Sequence, residues 1–455
     1  MTLAVTHLCP RVCGSSSTPR ATVSSVKILL SAFSCEPWRG SELEVGFRTM
    51  LAAAEQHEVW VLTSATGMPR LSRFVDDHAL RPRVHLVSRP AVPPGEDEGR
   101  LGLIAFHRMY DQWQRRVTRV ALELDREIDF DVMHHVTIAT VWTRVGVAAV
   151  EKPLVWGPVG GAVHPPLSLV PELGWRGAAE DLVRVVARRA LARLPHARMT
   201  ARRVLVAFAQ NALTARFIRT DAPVTVLPNS TAVDVTHVSP PHERTSDLMF
   251  VGRLLPWKGT MLALRAFREL ARPAARLRFF GTGPDQERLA WAAHRWGIRE
   301  RVRFEGWQPR DAMLAELAQA AALIHPSLHD EAGLSVAEAL LLGTPAVCLD
   351  HGGPAAVVRL WPDAPAHLIT PARPSTTARR LAAAMDNCLV HPAPVPPGPF
   401  EPDTTYPAQI QRAYEQAAAA PRRTGSRRFP ANPDPSPDGT TSSGRPGRGR
   451  CRPRR

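Results

Sequence analysis

GRLLPWKG at Gly252–Gly259 and PSLHDEAGLSVAEALLLGTPAVCLDHGGP at Pro326–Pro354 are the stretches on which the fold reading turns. Each continues a short β-like run, DLMFV before the first and AALIH before the second, and each opens into a helix-period stretch, Thr260–Leu270 and Ser335–Leu342. A strand that ends in a loop and feeds a helix is the repeating unit of a parallel sheet covered by helices, and ligands gather at the carboxyl ends of its strands.

Working outward, the same alternation continues. RLRFFGTG, RVRFEGW and HLIT read as further strands, with helical patterns at Gln286–Trp296, stopped by Gly297, and at Asp311–Gln319. Towards the amino terminus, VKILLSAF, EVWVLT, RVHLVS, DVMHHVT, PLVWGPVGG and RVLVAFA are a second set of strands. Leu43, Gly46, Phe47, Met50, Leu51 and Ala54 lie on one helical face after the first of them. Between the two sets, VLPNSTAVDVTHVSPPHERTSD is polar and broken by proline. The sequence therefore predicts an α/β chain of two Rossmann-like domains, 26–228 and 247–404, joined by a linker at 229–246. Residues 1–25 read as a loose extension.

The 455 residues suit two such domains. The net charge of +15 is unevenly spread. In 421–455, ten arginines face only Asp434 and Asp438, a net of +8; Arg11 and Arg20 add +2, which leaves +5 for 23–420. The tail at 421–455 is rich in Pro, Gly, Ser and Arg, a composition that cannot bury a core and predicts disorder. It has no aromatics interleaved among the arginines for base stacking, so no specific nucleic-acid partner is expected. No apolar run reaches the ~18 residues of a membrane span, and the first residues lack the pattern of a secretory signal. Cys9, Cys13, Cys35, Cys348, Cys388 and Cys451 are scattered and form no zinc-site spacing. A reduced, cytoplasmic protein is expected. Leu182–Leu194, LVRVVARRALARL, is a basic amphipathic stretch suited either to packing on its own domain or to peripheral contact with an anionic membrane.

Taken together and in this order, the two blocks resemble the nucleotide-binding domain of GT-B-fold retaining glycosyltransferases of the family-four group. SAFSCEPWRGSELEVG, DVMHHVT and WGPVGGAVHPP are similar to that group's acceptor-domain blocks, so the resemblance covers most of 26–420. It implies two Rossmann-like domains facing across a cleft, and transfer of a sugar from a nucleotide-diphosphate sugar to an acceptor hydroxyl with retention. It also implies a helix in 405–420 that crosses back to the first domain. The family pattern has two acids separated by seven residues; here they are Asp330, where the family usually has Glu, and Glu338. A GT-B-fold epimerase or phosphorylase, and a catalytically degenerate binding protein, are the alternatives.

The residue chemistry fits the resemblance. Breaking a nucleotide-sugar bond leaves a diphosphate whose growing charge must be neutralised. Arg253 can grip phosphate oxygens in a fork and Lys258 adds a compact charge; by similarity they clamp the leaving group, the alternative being a solvated basic pair. Gly252 gives the backbone room to approach a ligand. Asp330 falls in the loop before the Ser335 helix, so the N–H groups of Ala332, Gly333 and Leu334 can point at ligand oxygens. The resemblance places Asp330 near donor-sugar hydroxyls and Glu338 on the ribose; Glu338 would equally serve the helix dipole. Gly281 and Gly283 form either a binding loop or a plain tight turn. Gly40 and Ser41 follow the first strand, and Gly160 and Gly161 are suited to bringing a loop close to acceptor or phosphate. By resemblance one histidine at the end of DVMHH faces the cleft, the alternative for either being a packed or capping histidine. Neighbours on a strand point to opposite faces, so only one can, and the HHVT pattern favours His135 over His134. Asp129-Phe130-Asp131 spells a metal-binding DxD pattern but reads as a strand-initiating turn. No metal and no cofactor are expected, the nucleotide sugar being a co-substrate. Donor base and acceptor are not legible.

Overall fold

Residue spacing in the computed structural model resolves into two parallel sheets. It describes residues 25–37, 41–88, 103–396, 398, 400 and 403–420. The extension expected at 1–24, Gly40 and the tail at 421–455 lie outside the described residues.

The first sheet has seven strands: β1 (Lys27–Ala32), β2 (Glu58–Thr63), β3 (Val84–Ser88), β4 (Val132–Val136), β5 (Leu154–Val159), β6 (Val204–Ala209) and β7 (Val224–Val226). Their order is β3-β2-β1-β4-β5-β6-β7. Every pairing is parallel. The second has six, β8 (Asp247–Val251), β9 (Arg276–Phe280), β10 (Val302–Gly306), β11 (Ala322–His325), β12 (Ala346–Leu349) and β13 (Ala366–Ile369), in the order β10-β9-β8-β11-β12-β13, again all parallel. Strand order reverses between β1 and β4 in one sheet and between β8 and β11 in the other. These are the points where an open α/β sheet leaves a crevice at its carboxyl edge. The architecture is a pair of Rossmann-like α/β domains.

Burial on both faces explains the apolar runs. Along β1, Ile28, Leu30 and Ala32 enter one core with the helix Ser41–Ala54, whereas Leu29 enters the opposite core with the helix Leu103–Ile128. Both faces are dry, so the strands read as near-continuous hydrophobic sequence. The first core takes a wall from the far end of the chain. In the helix Thr405–Ala419, Tyr406, Ile410, Ala413, Tyr414 and Ala417 are all buried in it. Two phenols fix that helix: Tyr406 OH lies 2.7 Å from Thr49 Oγ1, and Tyr414 OH lies 2.8 Å from His134 Nδ1. Both sheets belong to one compact unit that ends at Ala420.

Candidate functional site

At the carboxyl edge of the second sheet, the loop after β8 and the loop after β11 meet. Gly259, at φ 73°, allows this: a Cβ there would sit 2.0 Å from the Pro326 carbonyl oxygen. The contact brings Lys258 to Asp330, Nζ to Oδ2 2.6 Å. The same oxygen accepts from His325 Nε2 at 2.9 Å, and Ser335 Oγ lies 3.1 Å from His325 Nδ1. With Asp330 ionised, Nε2–H must donate to it. The other oxygen, Oδ1, accepts the N–H of Gly333 at 3.0 Å and of Ala332 at 3.3 Å. Burial opposes ionisation of Asp330, yet Lys258 and His325 hold its carboxyl well below the usual range. Thus the N–H groups of Ala332 and Gly333, expected to aim at a ligand, are turned onto Asp330, because Gly333 caps the helix Leu334–Leu341 in a left-handed conformation at φ 70°.

Glu338 lies in that helix, buried, and pairs with Arg310 at 3.0 Å. Burial raises its carboxyl above the ordinary value, only partly offset by Arg310. Arg310 opens the helix Arg310–Gln319 and carries no sequence signal of its own. Arg253 is exposed on the rim of the same loop cluster. Gly281 and Gly283 back directly onto the backbone at Gly252 and Leu254, where a Cβ on either would meet a carbonyl oxygen at 2.1 or 2.3 Å. The tight-turn reading accounts for both.

The first sheet is arranged differently. His134 and His135 are each 0% exposed. They point to opposite faces of β4, as a strand requires, but both faces are covered. His134 donates from Nε2 to the Gly157 carbonyl at 2.9 Å and accepts from Tyr414. His135 has Tyr110 OH 3.2 Å from Nε2 and Ser31 Oγ 3.3 Å from Nδ1. Burial lowers the pKa of His134 to about 4, and that of His135, with His134 beside it, to about 3. The expectation that one of them faces the cleft is therefore corrected: a doubly covered sheet offers no open face, and only residues past the strand's end reach its carboxyl edge. Those residues carry strain, since Thr137 and Ile138 both have positive φ, 62° and 50°. A β-branched residue there costs on the order of 1–3 kcal/mol. Asp129 and Asp131 precede β4, at the opposite edge, where Asp129 pairs with Lys152 and Asp131 accepts the Lys27 N–H at 3.0 Å.

Between the domains lies a cavity of 1390 Å³. Ile138, Thr140, Gly160 and Gly161 line it from the first domain, and Asp330, Glu331, Ala332 and Leu334 from the second. Ser41 starts the helix after β1. Glu331, one place beyond the family acid, spans the gap: its carboxylate accepts from the Val163 N–H and Asn211 Nδ2, each at 3.0 Å, and from Thr214 Oγ1 at 3.3 Å. His351 Nε2 donates to the His164 carbonyl at 2.6 Å across the same gap. Among the described residues no cluster of three metal-ligating side chains occurs, and no helix is long and apolar enough to cross a membrane.

Residues 236–388 match the profile of glycosyl transferases group 1. The 2-deoxystreptamine glucosyltransferase of Streptomyces kanamyceticus is 32% identical over 157 residues, which span 34% of this chain and 39% of that enzyme. The 2-deoxystreptamine N-acetyl-D-glucosaminyltransferase of Streptomyces fradiae is 28% identical over 317 residues, 64% of this chain and 70% of the other. Anabaena HepE, solved in complex with UDP, superposes with a TM-score of 0.50 at 18% identity, covering 86% of this chain and 94% of its own.

Proposed function

We propose that this chain, whose residues 236–388 match the glycosyl transferases group 1 profile, transfers a sugar from a nucleotide-diphosphate sugar to an acceptor hydroxyl with retention of configuration. The observation that carries this reading is the Lys258–Asp330–His325 network, set at the switch point of the second sheet beside the interdomain cavity. The nucleoside lies over the second domain, with Glu338 on the ribose and Arg310 exchanging partners as it enters. Lys258 and Arg253 hold the diphosphate. Asp330 keeps Lys258 in place before the donor arrives and then receives hydroxyls of the donor sugar. HepE holds UDP and the curated relatives are named as sugar transferases, both of which favour a nucleotide-sugar donor.

In the chemical step the bond from the anomeric carbon to the diphosphate oxygen breaks, and the acceptor oxygen bonds to that carbon on the same face. The acceptor proton passes to the departing phosphate oxygen, so no side chain need act as base. This agrees with two histidines held neutral inside the core. Positive charge at Lys258 and Arg253 strengthens its hold as the phosphate departs, which is where transition-state stabilisation arises. Neither a metal nor a cofactor enters the scheme.

The test is a calorimetric screen of nucleoside diphosphates and their sugars, followed by assay of sugar release or transfer and anomeric assignment by NMR. Binding of one nucleoside diphosphate, lost in Lys258→Ala, supports the reading. A folded chain that binds none of them overturns it.

A further inference from the structure

Most of the cavity lies away from the groups assigned to the donor. Arg253, Lys258, Glu338 and Arg310 are absent from its wall, and the second domain contributes only the segment 329–332 and Leu334. Most of the rest is enclosed by the helix Leu103–Ile128, the loop after β4 and the helix Gly174–Leu191. A volume of 1390 Å³ exceeds the roughly 300–1,000 Å³ of most small-molecule pockets.

This region is apolar at its centre. Val183, Ala187 and Leu191 recur at i, i+4 and i+8 on one stripe of the helix, and Leu194 follows them. Trp142 and Ile138 belong to the same wall. Val183 is 67% exposed and Leu191 41%, so much of the stripe is open among the described residues. The charges at this end are mostly positive. Asp111 is shared by two guanidinium groups, Arg115 at 2.8 Å and Arg144 at 3.0 Å. Arg108 is exposed and makes no ion pair among the described residues. The other two wall carboxylates are also engaged, Asp330 with Lys258 and Glu331 with first-domain donors. Among the described residues no wall carboxylate is left to receive a cationic acceptor, whereas guanidinium charge is in excess.

Resting on the sugar-transfer reading, we propose that the acceptor is an amphiphile: an apolar ring or chain bearing one anionic group, carboxylate or phosphate. Its body lies along the Val183–Leu191 stripe and its anion near Arg108, Arg115 and Arg144. The acceptor class is then opposite in charge to 2-deoxystreptamine, the amine in the names of the two curated relatives.

The full chain, saturated with whichever of UDP, dTDP, GDP or ADP binds, is titrated calorimetrically with octyl phosphate, 1-naphthyl phosphate and 2-deoxystreptamine. One of the two phosphates should bind saturably, at least about tenfold tighter than the amine. The tighter of the two tells a chain from a ring system. Val183→Asp and Arg108→Gln, both at exposed positions, should each weaken that phosphate by about tenfold and leave nucleoside-diphosphate affinity unchanged. Tighter binding of the amine, failure of both phosphates, or phosphate affinity unmoved in both variants overturns the acceptor inference alone. Failure of all four nucleoside diphosphates removes the transferase reading beneath it.

Discussion

The carboxyl edges of the two sheets share a topology and differ in how their polar groups are held. At the second sheet, buried charges sit at the switch point itself: Asp330 with Lys258 and His325, and Glu338 with Arg310. At the first sheet, the polar groups of the strand end, His134 and His135, are sealed inside two cores, and the cleft wall comes from residues beyond it. A diphosphate makes the same demand on every donor, so its groups are fixed on short loops and paired in advance. An acceptor makes a demand particular to this chain. The wall proposed for it is drawn from one long helix, one strained loop and one half-exposed helix.

The largest expected effect tests whether the first-sheet histidines are structural. Their folded pKa values, about 4 and about 3, lie below the unfolded value of 6.5. As pH falls below 6.5 the unfolded chain takes up protons that the folded chain refuses, so stability falls by up to about 1.4 kcal/mol per pH unit for each histidine. His57, His107 and His351 shift in the same direction, through burial. Asp330 acts in a lower window: its depressed pKa supplies stability that is present above about pH 4 and lost below it. Urea unfolding between pH 7 and pH 4.5 should show the steep slope, and the His134→Phe/His135→Phe double variant should flatten it. An unchanged slope would break the contrast between the two edges.

Next comes Lys258→Ala, for which turnover should fall on the order of 100-fold or more, with weaker nucleoside-diphosphate binding. Arg253→Ala should act in the same direction without loss of stability, since its side chain is exposed. The pair should be less than additive because both serve one charge. Steady-state kinetics with circular dichroism as a fold control decides this. His325→Ala should cost roughly tenfold in turnover, by loosening the carboxylate that positions Lys258. In His325→Gln the amide can still donate to Asp330, and part of the loss should return; a purely structural defect would not be rescued in kcat alone. The smallest effect is expected for His135→Phe, with turnover at pH 7.5 within a few-fold of normal. A loss as large as that of Lys258→Ala would place a histidine in the chemistry after all.

The same contrast explains what could be read from the chain. The central strands stand out as apolar runs because both faces of both sheets are covered; Val224–Val226, three residues long and only part-buried, does not. Lys258, Asp330 and Glu338 are legible because the residues that meet in space are nearly contiguous in two motifs. Arg310 is not, since its partner Glu338 lies on another element, and His325 reads only as the last residue of an apolar strand. The histidines mislead because DVMHH marks the end of a strand but not how both its faces are covered. The 26-residue helix Leu103–Ile128 was open to view, with Met109, Tyr110, Trp113, Val117, Val120 and Ala121 on one buried face. Its contribution to the cleft, Arg108, Asp111 and Arg115, lies on the polar side of that pattern, where any solvated helix carries charge.

The helix Thr405–Ala419 has a consequence for the order in which this protein is made. Tyr406, Ile410 and Tyr414 close a core whose remaining walls are encoded by Ala232. A ribosome adding about 5–20 residues per second needs on the order of ten seconds or more to go from the last strand of the first sheet to that helix. Through that interval the second domain can complete itself, whereas the first holds an uncovered apolar face against β4, β5 and β6. The domain that starts first finishes last, and the nascent chain is most exposed to aggregation on the half built around the first sheet.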